Sequence, residues 1–178
     1  AMAELDAAKA EAADPVLFFL RKACSLADEA EHARIYSNIQ AMRFSNRIEV
    51  IFDQVPSDFK YLKVPRLIQQ PLVENAFEHG LKSKVKDGVL KITFDTFNHG
   101  ILINIEDNGE GMKQGTIDYL QNVMDDCICG TENTAIINIA KRIRLKLGED
   151  SGISFEKGEM GGLKVTIKIQ PREVKDNV

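Results

Sequence analysis

Apolar positions along the chain change period several times, and each change predicts an element. From 26 to 42, Leu26, Ala30, Ala33, Ile35, Ile39 and Met42 recur at roughly helical spacing, with Asp28, Glu29, Glu31 and Arg34 expected on the other, solvent-facing side. The pattern predicts an amphipathic helix packed by one face. Ser25-Leu26-Ala27-Asp28 supplies its capping signal, a hydroxyl placed to accept from the first free amides. Upstream, Asp14-Pro15 reads as another N-cap with proline at the first helical position, and residues 1–13 have good helix propensity without an apolar stripe. Residues 47–53 alternate and are rich in β-branched side chains, predicting a strand closed by Pro56-Ser57-Asp58. A helix is expected to begin near Pro65 and to bend or restart at Pro71, which lacks an amide hydrogen and crowds the preceding turn; residues 72–82 are its best-formed part.

Residues 88–97 and 100–106 alternate across the turn-forming Asn98-His99-Gly100, predicting an antiparallel hairpin. The polar, glycine-flanked run 113–133, with a short helix near 116–124, is long enough to form a mobile lid. Over 134–147, Ile136, Ile139, Ile143 and Leu147 keep helical spacing until Gly148, and strands at 152–156 and 163–170 follow. This order predicts an α+β fold, a two-layer sandwich in which a mixed, mostly antiparallel sheet carries helices on one face. The domain boundaries expected are a helical extension over 1–44, the sandwich over 45–172 and a tail over 173–178.

Composition narrows the partners. The chain of 178 residues is 44% hydrophobic and 28% charged with a net charge of -4, an ordinary globular balance. It has no clustered basic run of the kind that neutralises phosphates, so nucleic acid is not an expected partner. No stretch approaches the roughly 20 apolar residues that span a bilayer, and the apolar run at 15–20 is too short. Cys24, Cys127 and Cys129 are an odd number without zinc or disulfide spacing, expected to be reduced thiols of a cytosolic protein. Ala1 ahead of Met2 reads as a cloning remnant.

Two segments carry the chemistry. Pro-Leu-Val-Glu-Asn-Ala-Phe-Glu-His-Gly over 71–80 places Asn75 and His79 on one helical face. Ile-Glu-Asp-Asn-Gly-Glu-Gly-Met over 105–112 is a strand running into a glycine-punctuated loop. An amide, an imidazole, a carboxylate and exposed backbone together suit Mg-ATP. Taken singly, each has a blander reading: Asn75 on a solvated face, His79 as a helix-end cap beside Gly80, and the glycines as plain turn residues.

These motifs, in this order, together with Ala41-Met42-Arg43-Phe44 and the match over 70–80, resemble the ATP-binding catalytic domain of sensor histidine kinases. That domain has the Bergerat-type fold shared with gyrase, the Hsp90 chaperones and MutL. The likeness extends over 25–171 and is closest to the LytS/YesM-like branch. It implies ATP and Mg2+ as ligands, with Asn75 on the metal. It assigns Asp107 to the adenine amino group, Gly109, Gly111 and Met112 to the base, His79 to a phosphate, and Asn138 to the nucleotide at the helix after the lid. Such oxygen and backbone ligands fit a hard cation and a close-lying base. No catalytic base is implied, because phosphoryl transfer rests on positioning and charge neutralisation.

The sequence departs from the family in several places. Glu78 stands where lysine is common, Asn133 and Ala135 replace two lid glycines, and Leu163 replaces a threonine. Asn138 and Arg142 keep the family's pattern. No Pro-His-Phe acceptor motif is found in residues 1–45; His32 occupies an ordinary helical position. The resemblance therefore implies a catalytic domain that phosphorylates a histidine on a dimerisation domain outside this sequence. A response regulator follows downstream, and the full-length parent is expected to be membrane-anchored and homodimeric. The alternative is a degenerate ATP-binding-like module acting as a signalling interaction domain. An ATP hydrolase would want a glutamate one turn before Asn75, where Pro71 stands, and Glu74 projects about 100° away around the helix.

Overall fold

The computed structural model describes residues 23–125 and 135–171. The expectations for residues 1–22, for Cys127, Cys129 and Asn133, and for the tail lie outside them. The described chain starts as strand β1 (Ala23–Ser25), which pairs antiparallel with β3 (Lys63–Pro65). Ser25 then caps α1 (Leu26–Arg43), its Oγ accepting from the Asp28 amide at 3.1 Å.

The face that α1 buries is not the one its larger apolar residues mark. Leu26, Glu29, Ala30, Ala33, Ser37, Gln40 and Ala41 face inward, whereas Ile35, Ile39 and Met42 are 49%, 52% and 69% exposed. Mostly small side chains allow α1 to lie close on its neighbours. Glu29, expected on the outer side, is drawn in by unpaired backbone amides described below.

Strand β2 (Ile48–Phe52) is at one edge of a five-stranded sheet of order β2-β4-β5-β7-β6. Here β4 is Gly88–Phe97, β5 Gly100–Asp107, β6 Gly152–Lys157 and β7 Leu163–Ile169. The pair β2–β4 is parallel, with Ile48 opposite Gly88, and the other pairings are antiparallel. The sandwich is thus the mixed sheet expected. One sheet face presents Leu90, Ile92, Ile101, Ile103, Ile105, Val165 and Ile167 to the core, all buried. The other face is polar: Asn104 donates to Asp95 at 2.6 Å and accepts from Thr166 at 2.9 Å across three strands.

No helix begins at Pro65. That residue ends β3, and α2 (Gln70–Asn75) starts five residues later with Pro71 in its first turn. Proline's missing N–H is harmless there, since first-turn amides lack intrahelical acceptors. The stretch expected as a lid is helical as α3 (Gln114–Asp125), with Ile117 buried and the Phe155 amide donating to Gln121 at 3.4 Å. The rest of that stretch lies outside the described residues. Helix α4 (Ala135–Leu147) buries Ile137, Ile139, Ala140, Ile143 and Leu147, and the Gly148 amide closes it on the Arg144 carbonyl at 2.9 Å. Among the described residues, no helix is long and apolar enough to cross a membrane.

Candidate functional site

Helix α2 does not simply continue past Asn75. Residues Ala76–Gly80 form one π-helical turn, in which the Leu81 amide reaches the Ala76 carbonyl at 2.8 Å. Such wide turns recur at functional sites. Phe77 is buried and stacks at a tilt on Phe44, 5.6 Å between centroids, which anchors the turn. Asn75 is half-buried, while Glu78 and His79 are exposed and neighbours in sequence. Glu78 is not a bare charge: its carboxylate lies 3.7 Å from Lys82.

The turn delivers Gly80 to the end of β5. There Asp107 is 2% exposed, and three glycines close around its carboxylate. A Cβ on Gly80 would stand 2.6 Å from Asp107 Oδ1, one on Gly162 would collide with the Asp107 carbonyl and carboxylate oxygens, and one on Gly109 would collide with the Gly80 carbonyl. The Gly109 amide donates to Asp107 Oδ1 at 2.8 Å, and the Glu110 amide lies 3.3 Å from the Gly80 carbonyl. Burial, the largest influence, pushes the Asp107 carboxyl above its ordinary range; amides from Gly109 and Leu163 oppose it, Glu106 adds to it and Lys84 opposes it. The result is a desolvated acceptor framed by backbone, suited to receive a hydrogen bond from a flat amino-bearing ring.

Beyond it, Gly111 takes φ +70°, a left-handed conformation that turns the chain back over Gly161 and Gly162. Met112 is partly buried against the core. Asn108 fixes the loop from beneath, accepting from the Val89 amide and donating to the Asp87 carbonyl, each at 2.8 Å. Leu163, the departure from threonine, turns its side chain into the core and offers its amide to Asp107.

Asn138 lies elsewhere. With Ala135, Ile139, Arg142 and Leu145 it forms one wall of a groove of about 870 Å³, faced by Pro65, Leu67 and Pro71. The structure therefore joins Gly80, at the end of the Asn75 segment, to Asp107, Gly109 and Gly111, and sets Asn138 on a groove that reaches the same helix through Pro71.

Between these regions is the connector from β3 to α2. Its amides do not enter a helix; Leu67, Ile68 and Gln69 donate at 3.0, 2.8 and 3.2 Å to the buried carboxylate of Glu29. Arg142 holds the opposite side, donating to the carbonyls of Arg66 and Leu67 at 3.0 and 3.2 Å. Gly80, Gly162, Asn108 and Glu29 all shape the site and went unassigned in the sequence. For Asn108 the signal was present, as the polar residue inside Asp-Asn-Gly. For Glu29 none was, since its helical spacing put it on the wet side.

No family model matches the chain. By sequence it is 28% identical over 148 residues to the sensor histidine kinase YesM of Bacillus subtilis, covering 83% of this chain and 24% of that protein. It thus spans about a quarter of the length of that relative. Among solved structures, it matches the catalytic domain of histidine kinase ThkA at 15% identity and TM-score 0.56, covering 85% of this chain and 98% of that one. The ThkA kinase in complex with the response regulator TrrA matches at 16% identity and TM-score 0.57, over 94% of this chain and 48% of that one. At these identities the structural likenesses establish the fold.

Proposed function

We propose that the chain is the counterpart of the ATP-binding catalytic domain in LytS/YesM-like sensor histidine kinases, a reading supported by its similarity to those relatives, and that it binds Mg-ATP and donates the γ-phosphoryl group to a histidine on a separate dimerisation domain. The observation that carries this reading is the glycine-framed, buried carboxylate of Asp107 brought against the end of the Asn75 segment. Asp107 accepts from the adenine amino group, and Gly109, Gly111 and Met112 bound the base. Asn75 ligates the magnesium through its amide oxygen; His79, exposed beyond it, donates to a phosphate, as does Asn138 from α4. The bound metal supplies charge neutralisation for phosphoryl transfer, while the chain's residues hold the nucleotide and exclude side chains from its path. No protein base is required, since a neutral imidazole acceptor is already nucleophilic.

A response regulator takes the phosphoryl group from that histidine, in keeping with the kinase–regulator complex that shares the fold. The parent protein is membrane-anchored and homodimeric, with this domain in the cytoplasm. His32 is exposed on α1 and has no part in the transfer.

One observation favours a second, non-enzymatic reading: Ala135 and Glu78 leave the phosphate side without the glycine and the cation that the family usually places there. A titration with a fluorescent ATP analogue, with and without magnesium, on wild type and Asn75→Ala separates the two. The kinase reading expects saturable binding, tightened by magnesium, with that tightening lost in Asn75→Ala. No saturable binding by wild type leaves the docking module.

A further inference from the structure

The connector over residues 66–69 is held in a conformation it would not adopt alone. Leu67 sits at φ +55°, a left-handed geometry that is unfavourable for a residue with a Cβ. Next to it, the side-chain amide of Gln69 is fully buried, with neither its nitrogen nor its oxygen hydrogen-bonded. Strain and an orphaned buried amide, side by side, persist only where surrounding contacts hold them. Those contacts come from two other elements. Glu29 of α1 fills the nest of three successive amides, as an anion would, and Arg142 of α4 grips the carbonyls.

The consequence falls on the segment that follows. The Gln69 carbonyl receives the Leu72 and Val73 amides, both at 3.0 Å, and so starts α2; Asn75 is the last residue of that helix. The path is continuous: Glu29 sets the Gln69 amide, Gln69 sets the first turn of α2, and α2 sets Asn75. Resting on the nucleotide reading above, we infer that Glu29 is a positioning residue through which the seating of α1 controls the metal end of the nucleotide site. Asp107 stands at the end of β5, where the amides of Gly109 and Leu163 hold its carboxylate, and only Gly80 joins it to this path. A shift of α1 against the sheet therefore bears first on magnesium-assisted binding and less on adenine recognition. This gives the domain a route by which an event on α1 reaches the nucleotide.

The test titrates a fluorescent ATP analogue, with and without magnesium, against wild type, Glu29→Gln and the exposed-strand control Glu49→Gln. Hydrogen exchange over residues 67–80 is followed in nucleotide-free protein. Glutamine keeps the side-chain length but turns an NH2 group toward amides that need an acceptor. The expected result is a loss of about tenfold in magnesium-dependent affinity for Glu29→Gln, within the usual size of coupling between sites. Magnesium-free affinity falls by less than the magnesium-dependent affinity, and exchange quickens over 67–75 but not over β4 and β5. Should Glu29→Gln not fold, Arg142→Met removes the other grip and is read in the same way. A variant that binds with the wild-type magnesium response overturns the inference. Wild type that binds nucleotide under neither condition overturns the nucleotide reading and the coupling with it, a result distinct from the first.

Discussion

Asp107 combines a cost with a use. Its carboxyl is raised above the ordinary range mainly by burial, so the folded chain holds that proton more tightly than the unfolded one. Stability from this group is therefore fully present below the ordinary carboxylate value, about 3.9, and is lost as pH rises through the raised folded value. Replacing the charge should relieve that cost: in thermal melts at pH 7, Asp107→Asn is expected to be at least as stable as wild type, with the advantage gone below the ordinary value. The same change should weaken binding of an ATP analogue by roughly tenfold or more, the usual effect of losing a hydrogen bond to a charged group. A lower melting temperature with unchanged affinity would make Asp107 a structural residue only. Asp107 and Asn75 are candidates that the sequence alone can name, because their neighbours in sequence form recognisable motifs. Gly80 and Gly162 were not, because their smallness matters only where distant segments meet over the carboxylate.

Among the elements, α1 shows where periodicity misleads. Its buried stripe is mostly alanine, serine and glutamine, and its exposed stripe carries Ile35, Ile39 and Met42. Hydrophobic spacing finds the helix but weighs side chains by size, whereas close packing selects small ones where backbones approach. Two substitutions distinguish the faces. Ile39→Gln should change unfolding free energy by less than about 0.5 kcal/mol, as surface changes generally do. Ala33→Leu should destabilise by about 1–3 kcal/mol through overpacking. Denaturant melts that rank the two the other way would place the contact face of α1 wrongly. The same element explains the late start of α2. The sequence pointed to a helix near Pro65, but β1 claims the backbone of β3 and Glu29 claims the next three amides, so helix formation waits until Gln70.

Across the whole molecule, the proposed nucleotide would bridge parts that the chain brings together from far apart: the α2 segment, the end of β5 and the α4 groove. A ligand bound only by the folded state stabilises it by mass action, by about 2.7 kcal/mol at one hundred times its dissociation constant. Mg-ATP at that excess should raise the melting temperature of wild type and leave Asn75→Ala with a smaller rise; an unmoved wild type would argue against a nucleotide site. By itself the sequence determined the mixed sheet, the hairpin, the capped α1 and the two motif segments, because these depend on local period, turn chemistry and short-range spacing. Only the tertiary structure decided which face of α1 is buried, where α2 begins, which glycines enclose Asp107, and that Glu29 and Arg142 grip one connector. Those outcomes depend on which backbone amides are left unpaired and which surfaces approach closely. Both are set by segments roughly 40 to 75 residues apart in the chain, beyond the reach of any local pattern.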